Sequence, residues 1–225
     1  MITPSDTILY KLSDAQIKEC IQNAFYLTDF ITDRSDLHSR SFLEKFMDVL
    51  LGEISERMVI EWLRSNGKYA ESAVDKRSEH PDLGHDIWIK NTKGKISKCS
   101  VKSSISGLKS DMKDILSIFS PAFKTEEIRD INIQVYFWLK LYDKPRISVP
   151  SENNAAIIGW MKDSDLRNCA EQPYATESRP KLDLRLNQMR PMNDLLQYLL
   201  EKAKSIRLIP RRILKCKNFT DRFYG

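Results

Sequence analysis

Three short stretches of this chain carry acid, hydroxyl and amine groups at spacings that allow chemistry. Glu56 shares a helical face with Val59, Ile60 and Leu63. A carboxylate on such a face leaves water, and buried carboxylates are rarely left unpaired. The plainer alternative is a surface glutamate paired with Arg57 or Arg64. Asp86 follows Gly84-His85 and heads the apolar-alternating run Ile87-Trp88-Ile89. Ser100 and Lys102 lie two residues apart in an extended run, so both project to one sheet face. An acid, a hydroxyl and a lysine in mutual reach make either a cross-strand ion pair on a wet face or a site for a charged substrate. Carboxylate oxygens suit a hard divalent cation, and a lysine stabilises developing negative charge. The three histidines and four cysteines show no zinc-ligand spacing.

Ordinary local signals predict the elements that position these residues. Ser13 and Gln16 form a capping-box pattern that opens a helix to about residue 31. Ser41 and Glu44 form a second, followed by Leu43, Met47, Leu50, Ile54, Met58 and Trp62, which predicts a helix over 40–65 ended by Asn66-Gly67. Residues 71–84 are polar and predict a loop. Two strands, 85–90 and 96–103, flank Thr92-Lys93-Gly94, a three-residue hairpin turn with glycine at its left-handed position. Pairing Asn91 with Lys95 places Asp86 opposite Ser100. A helix over 108–120, strands over 131–142 and 155–160, a short helix near 163–169, a polar linker over 171–181 and a helix from Pro191 to about Ser205 complete the chain. The alternation of Ile131, Ile133 and Val135 with Asn132, Gln134 and Tyr136 marks 131–142 as the strongest strand. The fold class is α/β (α+β), with an N-terminal helical segment over 1–38, a core over 39–170, and a linker, helix and basic tail over 171–225.

The stretches Glu56–Gly67, Gly84-His85-Asp86-Ile87-Trp88-Ile89 and Cys99-Ser100-Val101-Lys102-Ser103-Ser104 together resemble the core of the PD-(D/E)XK nucleases, a superfamily that includes type II restriction endonucleases and archaeal Holliday-junction resolvases. The similarity spans roughly residues 52–142. It implies a restriction-endonuclease-like αβββαβ core with a mixed sheet, Mg2+ (with Mn2+ able to substitute), and phosphodiester hydrolysis of double-stranded DNA by a homodimer. By position, Glu56 matches the helix acid, Asp86 the first-strand acid and Lys102 the lysine, so the three are expected to converge, with Ser100 beside them. The pattern carries an acid where this chain has Ser100. Asp111, which lies nearer the apolar stripe of its helix than Asp114, is the candidate for the missing metal-binding acid, and Asp82 is an alternative to Asp86. Ser103, Ser104 and Lys109, with Arg207, Arg211, Arg212 and Lys215, are the expected DNA contacts. A catalytically degenerate DNA-binding module is the alternative outcome.

On charge alone, a polyanionic partner and a solvated basic face with a basic tail stand as equal readings. The net charge of +5 conceals +7 within Lys202–Arg222, so the remainder sums to −2. Inside that remainder, Lys90–Lys113 carries seven lysines and one acid. No apolar run is long enough to span a membrane, and residues 1–14 lack the pattern of a signal peptide. With scattered cysteines, a reduced cytoplasmic setting is expected. If the tail contacts DNA phosphate, deleting Arg211–Gly225 flattens the salt dependence of binding, because each phosphate contact contributes a slope of about −0.9. An unchanged slope in a folded truncation would remove the tail from the interface.

Overall fold

A computed structural model describes residues 1–31, 39–76, 84–90, 94–107, 111–124, 127–138, 155–169, 171–172, 181–182 and 184–199. Helices α1 (Asp14–Thr28) and α2 (Phe42–Ser65) precede strands β1 (Ala70–Ser72), β2 (Ile87–Lys90) and β3 (Ile96–Ser106). Then come α3 (Met112–Ile118), β4 (Ile131–Trp138), β5 (Ala155–Lys162), α4 (Asp163–Arg167), the small pair β6 (Glu171–Gln172) and β7 (Lys181–Leu182), and α5 (Met192–Tyr198). The main sheet runs β1-β2-β3-β4-β5. Its β3–β4 pair is parallel and its other pairs are antiparallel. From α2 to β4 the order is therefore helix, three strands, helix, strand, within an α/β architecture.

Both expected capping boxes form: Ser13 accepts from the Gln16 N–H, and Ser41 from the Glu44 N–H. Gly67 ends α2 with φ of 70°. Leu50, Ile54, Met58, Val59 and Leu63 of α2 are buried in one core with Ile87, Ile89, Cys99, Ile131, Ile133 and Val135 of the sheet. Helix α1 packs against α2 and adds Cys20 and Ala24 to that core. Helix α2 is thus enclosed on two sides, which explains why Glu53 and Glu56 are buried along with its apolar residues. A second core on the other sheet face joins Tyr136, Ala156 and Ile158 to Ile115 and Leu116 of α3. Strand β4 is buried on both faces because each face is covered.

The hairpin register is the expected one. Ile87 faces Cys99 and Lys90 faces Ile96, which puts Asp86 opposite Ser100, and Gly94 takes φ of 74°. Other expectations shift. The polar stretch read as a loop contains the edge strand β1. Strand β3 runs three residues further, to Ser106, because β4 continues alongside it. Helix α3 starts at Met112, not 108, because Asp111 caps it. Residues 200–225, including the basic tail, lie outside the described residues, as do Asp82, Lys109 and the turn residues Thr92 and Lys93.

Two fully buried amides on β4 fasten the crossover between α3 and β4 to the sheet. Asn132 Oδ1 accepts the Arg129 N–H (2.9 Å), and its Nδ2 donates to the Arg129 carbonyl (2.6 Å). Gln134 Oε1 accepts the Ala122 N–H (2.8 Å), and its Nε2 donates to Ser104 Oγ (3.2 Å). Replacing either amide by alanine leaves half-buried main-chain groups of the crossover without these partners. Each of Asn132→Ala and Gln134→Ala is expected to cost about 1–3 kcal/mol in urea unfolding. A loss below roughly 0.5 kcal/mol would mean that the crossover is held by packing alone.

Candidate active site

Glu56 lies in the buried stretch of α2 and lines the same pocket as Asp86. Asp86 precedes β2 by one residue. Its main chain continues the ladder, donating N–H to the Cys99 carbonyl and accepting from Ala73 N–H, both at 2.9 Å. Its carboxylate turns to β3, where Oδ2 accepts the Val101 N–H at 2.7 Å and, more weakly, the Ser100 hydroxyl at 3.4 Å. A main-chain donor that short fixes the position of the carboxylate.

Glu56 and Asp86 line one pocket of about 240 Å3. Glu53, Lys76 and Val101 share it, under an apolar wall that includes Leu27, Ile31 and Val49. Glu53 sits three residues before Glu56 and so on the same side of the helix. Asn23 of α1 donates to Glu53 Oε2 at 3.2 Å. The Lys76 ammonium bridges the two glutamates, bonding Glu56 Oε2 at 3.0 Å and contacting Glu53 Oε1. Glu53 and Lys76 are the site residues that sequence reasoning missed. The signal for Glu53 was its one-turn offset from Glu56. Lys76 lies in a polar stretch without a pattern to find it by.

Burial pushes Glu56 up to about 7, and Glu53 adds to that, while Lys76 pulls it down. For Lys76, burial lowers the pKa, but the two carboxylates outweigh it and the net direction is up. The cluster is therefore short of positive charge for its depth: one ammonium serves two buried acids, with Asp86 across the same pocket.

Lys102 does not join them, contrary to the expected convergence. Val101 packs on the α2 side of the sheet, so its neighbour Lys102 projects to the other side. There Lys102 registers with Gln134 and pairs with Glu127 at 3.2 Å, beside the core under α3. The odd positions of β3 belong to the face on which α2 packs, and Ser100-Val101-Lys102 places its lysine on an even one. Ser100 still meets Asp86 through its hydroxyl, and Ser104 is tied to Gln134. Ser103 is half-buried and registers with Val135 on the α2 side. Asp111 is also displaced from its expected role. It is exposed and caps α3, accepting the Lys113 and Asp114 N–H groups at 2.8 and 3.3 Å, on the opposite sheet face from the pocket. His85 is buried against Trp88, ring centroids 4.1 Å apart. Burial raises the Cys20 thiol to about 12 and the Cys99 thiol well above its ordinary value, so neither supplies a thiolate.

For a hard cation the donors are right in kind: carboxylate oxygens, two of them already converging on a positive charge. Among the described residues no three His, Cys, Asp or Glu side chains cluster tightly enough to enclose a metal ion. Magnesium does not require that, since it commonly takes one or two carboxylates, waters and substrate phosphate. The carboxylates are therefore of the kind that a magnesium-type site uses. Compared with known proteins, the chain matches no family model, no curated protein and no solved structure. Among the described residues, no helix is long and apolar enough to cross a membrane.

The raised Glu56 pKa predicts how stability depends on pH. Between about 4.5 and 7 the folded protein keeps a proton on Glu56 that the unfolded chain has lost. Stability falls as pH rises through that window, on the order of 2–3 kcal/mol. Lys76 stays charged throughout and does not offset the slope. Urea unfolding at pH 5 and pH 7.5 measures the effect. Glu56→Gln is expected to flatten the difference, and an equally steep Glu56→Gln protein would move the titration to another group.

Proposed function

We propose that this chain is a metal-dependent endonuclease acting on double-stranded DNA, with its reacting centre in the Glu53–Glu56–Asp86 pocket. The observation that carries the reading is the meeting of two helix carboxylates on a single cation position, with the Asp86 carboxylate on the facing wall. Support comes from the order of helix, three strands, helix and parallel strand, which matches the resemblance of residues 52–142 to the PD-(D/E)XK nucleases.

The chain's own residues divide the work as follows. Glu53 and Glu56 present oxygens from successive positions on one helix side. Asp86, fixed by the Val101 N–H, presents a third carboxylate from the sheet. A bound Mg2+ neutralises phosphate charge and lowers the pKa of its water. Leu27, Ile31 and Val49 keep one side of the pocket apolar, which strengthens every charge interaction within it. Lys95, beside the hairpin turn, is exposed and suited to phosphate contact, and the residues beyond 200 carry further charge. Restriction-type cleavage of both strands calls for two sites, hence a twofold dimer.

A second reading, a nuclease-fold module that binds DNA without cutting it, is favoured by two observations. Ser100 stands where the pattern has an acid, and Lys102 projects away from Glu56.

Plasmid DNA incubated with the protein and Mg2+, or with EDTA, separates the two. Discrete Mg2+-dependent bands are expected. Glu56→Gln and Asp86→Asn should each lower cleavage by about 10²-fold or more, the scale of losing one preorganised charged group. Lys102→Ala should stay within several-fold of the parent, since it faces the other way. A 10²-fold loss in a folded Lys102→Ala protein would move the centre to the α3 side. Binding without cleavage in Mg2+ and Mn2+ would favour the non-cutting module.

A further inference from the structure

Glu53 Oε1 and Glu56 Oε2 both contact one atom, Lys76 Nζ. The other Glu53 oxygen is occupied by Asn23 from α1 at 3.2 Å. All three members of the cluster are well shielded: the side chains of Glu53 and Glu56 are 8% and 10% exposed, and that of Lys76 is 19% exposed. A divalent cation held between the two carboxylates would compete for the oxygens that the ammonium already holds. It cannot take them while an ammonium sits between them, because two positive charges at hydrogen-bond distance repel strongly in a shielded pocket. Lys76 belongs to the connection between β1 and β2, not to the helix that carries the acids. Its side chain has four rotatable bonds, so it can leave without disturbing α2.

We infer that Lys76 is the resident counter-ion of the site, and that a divalent cation binds only by displacing it. Lys76 then sets the metal affinity and offsets part of the charge of the glutamate pair when no metal is bound. The pocket has two exclusive states: ammonium in and metal out, or metal in and ammonium turned to solvent. This rests on the reading of the pocket as a cation site.

The test measures metal binding, not cleavage. The 225-residue chain is titrated with Mn2+ at pH 8, and free Mn2+ is followed by its electron paramagnetic resonance signal. Lys76→Met, which removes the charge but keeps the stem, is expected to bind Mn2+ about tenfold more tightly than the parent. Lys76→Arg should bind no more tightly than the parent, and Glu53→Gln more weakly. A second readout uses the unmodified protein. Reductive methylation of lysines, mapped by mass spectrometry, should label Lys76 several-fold faster in saturating Mn2+, with Lys98 and Lys113 unchanged. That arm decides the matter if Lys76→Met fails to fold. A folded Lys76→Met protein that binds Mn2+ no tighter than the parent overturns the inference, as does Lys76 labelling indifferent to metal. In either case Mn2+ binding by the parent leaves the cation site standing. If neither the parent nor any variant binds Mn2+, the site and the inference both fall.

Discussion

A helix enclosed between another helix and a sheet face cannot carry two carboxylates without a counter-charge, and that constraint organises the centre of this molecule. Glu53 and Glu56 are buried because α2 is covered by α1 on one side and by β1–β3 on the other. An isolated buried carboxylate costs several kcal/mol, so the charge must be matched or the group must hold its proton. Both responses are visible. Lys76 bridges the pair, and Glu56 is pushed up to about 7 all the same. An apolar side chain at either position would pack as well at lower electrostatic cost, so the acids are a liability that stability does not explain. The proposed cation site would account for them.

The sheet separates this charged pocket from a different polar arrangement on its other face. There Asn132, Gln134, Ser104 and the Lys102–Glu127 pair hold the α3–β4 crossover in place. The amides of Asn132 and Gln134 bond half-buried main-chain groups of the crossover. One strand, β3, serves both sides. Val101 offers its N–H to Asp86 while its side chain packs toward α2, and Lys102 serves the crossover. Asp86 can be placed precisely enough to act with the helix acids only because the β2–β3 register is rigid up to its own main-chain N–H.

Much of this was legible from local patterns. The caps at Ser13 and Ser41, the stop at Gly67 and the glycine turn at Gly94 each have a short-range physical cause, and each fixed its element. The turn also set the register that puts Asp86 against Ser100. Parity correctly grouped Ser100 with Lys102, but parity does not say which face meets α2. That depends on the long-range pairing of β3 with β4, where Lys102 falls beside Gln134 and Val101 beside Ile133. Strand β1 escaped notice because three residues at a sheet edge need no apolar alternation. Asp111 was misassigned although aspartate immediately before a helix is a strong capping signal. Lys76 was invisible because only the fold brings the β1–β2 connection over α2.

The most direct test of this account is the position of a metal ion. A crystal of the protein grown or soaked with Mn2+ and measured at a wavelength where manganese scatters anomalously gives that position without reference to activity. The account predicts one strong anomalous peak among the carboxylates of Glu53, Glu56 and Asp86, with Lys76 turned away from it. A peak on the α3 side of the sheet, beside Lys102 and Glu127, or full Lys76 density between the two glutamates at saturating Mn2+, would contradict it.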